Sequence, residues 1–233
     1  MVFTPTDLFS FKINYDEVLN DSGGEVKPLY NGNISETFWR TSSDNLTRTY
    51  GYKYDNLNRL LNSYYQKPAH NITDSYNKNL TYDKNGNIMN LFRNGNLEAN
   101  NQVLNIDNLT YTYEDNSNKL TTVFDATNNP NGFKDDATGN DDPTIDYYYD
   151  DNGNMIRDQN KGIGIIYYNH LNLPTLIDFG VKGTITYLYD ATGRKVKKVV
   201  NETQINTTTV TDYLNGFQYK KMYCNIFQQV KDM

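Results

Sequence analysis

The sequence predicts an all-β chain built from antiparallel hairpins, and three observations carry that prediction. Its 233 residues include 21 tyrosines. Tyrosine suits half-buried strands, because it offers a broad apolar face and a hydroxyl. Asparagine is abundant throughout and accepts the left-handed backbone that tight turns need. The third observation is a recurring figure, Tyr-Asp-x-x-(Gly/Asn)-x-(Leu/Ile/Met), which reads as a turn between two strands.

Taken in order, residues 1–49 form a divergent N-terminal β segment. Leu8 to Tyr15 alternates apolar and polar side chains as a strand does, and Asp21-Ser22-Gly23-Gly24 breaks the alternation. Leu29-Tyr30-Asn31-Gly32-Asn33-Ile34 is a first Asn-Gly turn, and Trp39 is expected as a packed strand residue. Residues 50–220 form the repeat region, whose six units are anchored by Tyr54, Tyr82, Tyr113, Tyr149, Tyr168 and Tyr189. The turn slot lies four residues after the anchor, or five in the third unit, which carries an inserted residue. It holds Asn58, Gly86, Asn118, Gly153, Asn172 and Gly193, all residues that tolerate the left-handed region. The acidic, Pro- and Gly-containing stretch 125–144 is expected as a solvent loop inserted between the third and fourth units. Residues 221–233 make an atypical tail.

Composition excludes several functions. A net charge of −6 and a pI near 4.9 argue against a nucleic-acid partner, whose backbone needs clustered cations. Cys224 stands alone, and His70 and His170 lie far apart, so no metal-spacing motif and no cofactor site is expected. Asp83-x-Asn85-x-Asn87 and Asp150-x-Asn152-x-Asn154 offer alternate oxygens, as calcium loops do. Their glycines come fourth rather than sixth and no terminal glutamate follows, so both read as hairpin turns. His170 occupies a turn position filled by Asn56, Lys84 and Asp151 in sister units. No nucleophile elbow, phosphate loop or paired acid and base is present, and a non-enzymatic chain is expected. No apolar run is long enough to span a membrane, and the N-terminus lacks the pattern of a secretory signal.

The units Tyr82–Ile88, Tyr149–Met155 and Tyr189–Lys195, with the variant Tyr167-Tyr168-Asn169-His170-Leu171-Asn172-Leu173-Pro174, resemble the YD repeat of the RHS/YD-repeat family. The resemblance covers the chain from about Tyr30 to Lys220. It implies a curved, spiralling sheet that contributes wall to a shell around a C-terminal toxin or effector, in an extracellular or cell-surface protein. The implied partners are the remaining repeats of a longer RHS protein and its cargo. A surface adhesin whose tyrosines bind glycans is the alternative, and an enzyme the third. The family's DPxGLxD-like core motif is absent, so neither shell closure nor self-cleavage carries over. Codons permitted for Lys221 to Met233, read two bases on, spell a continuation of the family type, so the tail is expected to be out of frame. Anchor tyrosines of successive units are expected to stack on one another. Unpaired strand edges are expected to promote self-association.

Overall fold

The structure is a computed structural model that describes residues 7–20, 24–67, 74–97, 102–135 and 145–224. His70, residues 136–144 of the insert and residues 225–233 of the tail lie outside the described residues. Sixteen strands follow one another: β1 Phe9–Asn14, β2 Glu36–Thr41, β3 Arg48–Tyr54, β4 Leu60–Gln66, β5 Lys78–Tyr82, β6 Ile88–Leu97, β7 Gln102–Tyr113 and β8 Leu120–Asp125. Then come β9 Tyr147–Tyr149, β10 Met155–Asp158, β11 Ile165–Tyr168, β12 Pro174–Asp178, β13 Gly183–Tyr189, β14 Lys195–Glu202, β15 Thr207–Leu214 and β16 Phe217–Cys224. No α-helix occurs among the described residues. Two short 3-10 turns, Gly180–Lys182 and Thr203–Ile205, complete the elements.

Strand order repeats sequence order. β1 to β8 form one sheet, β9 and β10 a second, and β11 to β16 a third, each in linear succession. The pairings are antiparallel. β2 pairs with β3 and β3 with β4, so the divergent segment and the repeat region are continuous across residue 50. The chain nevertheless divides into two compact units, Met1–Thr112 with Val123–Phe133, and Tyr113–Thr122 with Lys134–Met233.

Among the described residues, extensive contacts between strands join those consecutive in sequence. Accordingly, few side chains reach full burial. In the first unit these include Val26, Phe38, Tyr65, Leu80 and Leu109, and in the second Tyr147, Ile163 and Ile166. β12 has no buried residue and neither has β14. A sheet half-covered on both faces favours residues that are apolar along their length and polar at the tip, which accounts for the tyrosine content. In the first unit the rings of Trp39, Tyr50, Tyr65 and Tyr76 adjoin at 5.1–5.5 Å from Tyr50 to its neighbours and from Tyr65 to Tyr76. Burial there pushes the Tyr50 phenol up to about 12.

Buried carboxylates hold the irregular segments. Glu36 is fully buried and accepts the Asn14 amide (3.1 Å) and the backbone N–H groups of Leu19 (2.7 Å) and Asn20 (2.8 Å). The insert begins in the same manner and not as a solvent loop. Asp125 accepts the N–H groups of Asn108 and Thr127, and Asp107 pairs with Arg93 and accepts the Phe133 N–H. The Asn129 amide donates to the Asn105 carbonyl at 3.2 Å. Residues 126–133 therefore lie along β7, with Thr127 and Asn129 bonded to its edge and Ala126, Asn128, Pro130 and Asn131 exposed to solvent.

Gly132 is the tight point of that docking. A Cβ there would stand 1.8 Å from the Ile106 carbonyl oxygen. Because backbone cannot yield cheaply, Gly132→Ala is expected to destabilise the first unit by about 1–3 kcal/mol. Urea unfolding checks it, and an unchanged midpoint would contradict the docking.

Candidate functional site: the turn edge

Each motif builds the same hairpin end from local chemistry. Counting from the anchor tyrosine, the residue at position one accepts backbone N–H groups from positions three and five through its side-chain oxygen. Asp55 accepts Leu57 and Arg59, Asp83 accepts Asn85 and Asn87, and Asp150 accepts Asn152 and Asn154. Asn169 accepts Leu171 and Leu173, and Asp190 accepts Thr192 and Arg194, all at 2.8–3.0 Å. Position four closes the turn by donating to the position-one carbonyl. It takes positive φ: 63° at Asn58, 93° at Gly86, 82° at Gly153, 56° at Asn172 and 80° at Gly193.

The third motif differs. Its left-handed residue is Asn116 (φ 57°), not Asn118. Glu114 occupies position one, and Ser117 Oγ accepts the Lys119 N–H in place of a short carboxylate. The added residue shifts the bend toward the anchor, and the Ser117 N–H closes it on the Glu114 carbonyl at 3.1 Å.

In the other five motifs the anchor pairs with position six, and position seven is bulged. Tyr54 faces Leu60, Tyr82 faces Ile88, Tyr149 faces Met155, Tyr168 faces Pro174 and Tyr189 faces Lys195, each beside a register shift. A bulge bends its strand and raises the local twist. The ladder toward the next hairpin therefore stops short: β4 pairs with β5 only from Asn62, and β12 with β13 only from Leu176. The carbonyl at position six is left beyond the ladder.

The next anchor fills that vacancy. Tyr82 Oη donates to the Leu60 carbonyl (2.8 Å), Tyr168 to Met155 (2.6 Å) and Tyr189 to Pro174 (2.9 Å), and Tyr149 donates to Leu120 (2.8 Å), which is position seven of the third motif with its inserted residue. Tyr54 donates to Ile34 at 3.1 Å. That acceptor closes the early Asn31-Gly32 turn, where Gly32 has φ 88° and Pro28 stands at the anchor position. Partial burial pushes the phenols of Tyr54, Tyr82, Tyr149, Tyr168 and Tyr189 above the ordinary value, keeping them protonated donors.

Contrary to the expectation from their repetition, these five anchors do not stack on one another. Their rings are met by other groups instead. The Arg59 guanidinium lies 4.7 Å from the Tyr82 ring centre and Lys119 Nζ 5.8 Å from that of Tyr149, both from the preceding motif. One turn ends where the next anchor must reach, so a hydroxyl bond, not a ring pair, is the geometry on offer. His170 sits exposed on the fifth turn. Among the described residues no group of three His, Cys, Asp or Glu side chains is arranged to hold a metal ion, and no helix is long and apolar enough to cross a membrane.

The sequence pattern alone did not show the acceptor of each hydroxyl. The sequence motif marks position six by its side chain, whereas its carbonyl does the bonding.

No protein-family model matches the sequence, and no curated protein matches it. Solved structures do. The chain is similar to a component of the Photorhabdus luminescens Tc holotoxin pore containing a mutant TccC3, with a TM-score of 0.55 and 16% identity. That match covers 94% of this chain and 11% of the other. It is also similar to the crystal structure of TcdB2-TccC3-TEV, with a TM-score of 0.51, 16% identity and coverage of 92% and 11%. The chain thus spans about a tenth of the length of the structures it matches. The likeness shows the fold, an RHS-like strip of antiparallel hairpins.

The turn carboxylates make the edge acid-sensitive. Bonding lowers their pKa: chiefly the Arg59 backbone N–H for Asp55, the Asn154 side chain for Asp150 and the Thr192 side chain for Asp190. At Asp83 desolvation pulls upward, but donors from Asn87, Asn85 and Gly86 together outweigh it. A depressed carboxylate contributes stability that is present above its ordinary value, 3.8, and lost as pH falls through the lower folded value. The amide protons of Arg59, Asn87, Asn154 and Arg194 are therefore expected to titrate below pH 3.8, whereas that of Leu173, held by Asn169, is not. NMR shifts across that range check this. Parallel movement of Leu173 would contradict it.

Proposed function

We propose that the chain is a structural YD-repeat segment that contributes wall to a β-shell around a toxin or effector polypeptide. The observation that supports this most is the repeated hydroxyl link, by which each hairpin fastens to the carbonyl left open by the one before. Such a strip extends by adding units and needs no second layer. The mechanism is steric: paired strands and closed turns form a barrier that isolates the cargo, with no catalytic step. The RHS-like fold and the YD motifs favour this reading, and it carries an extracellular or cell-surface setting with it.

The partners in this reading are further hairpins of a longer protein. Among the described residues β1 pairs only with β2, and Phe9 and Phe11 are exposed on it. That free flank suits a continuing strand, or a second copy of the chain.

One feature favours a second reading, glycan binding by a surface adhesin. An open cleft of about 330 Å³ is lined by Asp150, Asn152, Tyr167, Asn169 and Asn172 among others, an aromatic ring beside carboxamides. Electron microscopy of the longer protein that contains this segment is expected to show a hollow body, with these hairpins in its wall. A solid body, or an open fibre with no enclosed space, would overturn the shell reading. Selective binding on a glycan array, abolished by Tyr167→Ala, would support the adhesin in its place.

A further inference from the structure

Position four needs a residue that accepts positive φ, and both glycine and asparagine do. Backbone demand therefore leaves the choice between them open. The neighbouring hairpin closes it. At four of the five junctions resolved within a single unit, position five of one turn meets position four of the next; at the fifth, the inserted residue of the third motif puts Lys119, its position six, against Gly153.

Two chemistries appear there, and they do not mix. Asn33 Nδ2 donates to Asn58 Oδ1 at 3.1 Å, and Asn154 Nδ2 donates to Asn172 Oδ1 at 3.0 Å. At the other three junctions a long side chain faces glycine. A Cβ added to Gly86 would stand 4.0 Å from Arg59 Nη1, one on Gly153 3.9 Å from Lys119 Cε, and one on Gly193 3.2 Å from Leu173 Cδ1. At Gly193 the contact is tight and a larger residue would need the space that Leu173 and Leu171 fill, whereas at Gly86 and Gly153 the neighbour's flexible end lies at van der Waals distance and covers the turn. Arg59 also reaches on to donate to the Asp83 carbonyl at 3.0 Å, so the long residue ties down the turn it covers.

We propose that position five (position six in the third motif, with its inserted residue) and position four form a pairing code that decides which hairpin accepts which neighbour: asparagine with asparagine, or arginine, lysine or leucine with glycine. Near-identical hairpins in one chain are prone to misassembly and to exchange between copies. Backbone pairing at the turn end discriminates poorly among the five motifs that share the same bulged turn. The code adds a side-chain test at each junction. It selects a partner hairpin, from this chain or another copy, by the residue four positions after its anchor. It rests on the junction geometry and stands independently of the shell reading.

Swapping the chemistry at two junctions of the full chain tests it. The first set is Asn154→Arg, Asn172→Gly and the pair together, and the second is Leu173→Asn, Gly193→Asn and the pair together. Arginine at position five is already compatible with this turn, as the Arg59 bond to Asp55 shows at 2.6 Å. Each single variant is expected to raise the unfolding equilibrium constant of the second unit. Each double variant is expected to recover about threefold or more relative to the product of the singles. A double variant that folds where a single does not gives the same support. Losses that simply multiply, singles without loss, or a double variant no better folded than its worse single would overturn the code.

Discussion

The tyrosine hydroxyl bond between successive hairpins is the interaction on which the rest of the structure depends. In a two-layer protein, an opposing sheet or helix presses neighbouring hairpins together, and burial does most of the holding. Here the extensive contacts among the described residues run between consecutive strands, and strands such as β12 and β14 bury nothing completely. Backbone ladders must then hold the strip together, yet five of the six motifs interrupt their own ladder with a bulge. The bulge leaves a carbonyl unmet at position six. The next anchor meets it, at a cost no greater than ordering one partly buried ring. At Leu120 and Met155 the acceptor and the donor tyrosine lie in different sheets, so the hydroxyl bridges where no ladder runs.

This arrangement explains the composition without appeal to a deep core. Tyrosine is required where an apolar stem must end in a donor. Asparagine and aspartate are required where a side-chain oxygen must gather two backbone N–H groups in five residues. The acidic balance follows in part, since four of the five turns described in that form use Asp at position one. The remaining turn uses Asn169 for the same geometry without the charge.

What was legible in the sequence is what is local. The hairpins, the anchors and five of the turn slots involve residues within six positions of one another, and the motif displays them directly. Asn118 was misplaced because one inserted residue allows either a longer loop or an earlier bend, and Ser117 selects the earlier bend at Asn116. The turn at Asn31-Gly32 could be seen, but its membership in the series could not, because Pro28 replaces the tyrosine. Contacts between motifs were illegible for a different reason. The link from Tyr149 to Leu120 spans 29 residues, and its acceptor is a carbonyl that any residue carries. The docking of residues 126–133 was hidden by their polarity, which in this chain serves buried strand edges as readily as water.

The most direct test replaces Tyr149, Tyr168 and Tyr189 together by phenylalanine, which keeps each ring and removes only the hydroxyl. The hydroxyl account predicts a loss of about 2–4 kcal/mol from the second unit, from three bonds of about 1 kcal/mol each. The same change at Tyr148, Tyr167 and Tyr219, whose rings lie in the same unit, is expected to cost little. Equal losses in the two sets, or an unchanged unfolding curve for the anchor set, would show that ring packing and not the hydroxyl joins the hairpins.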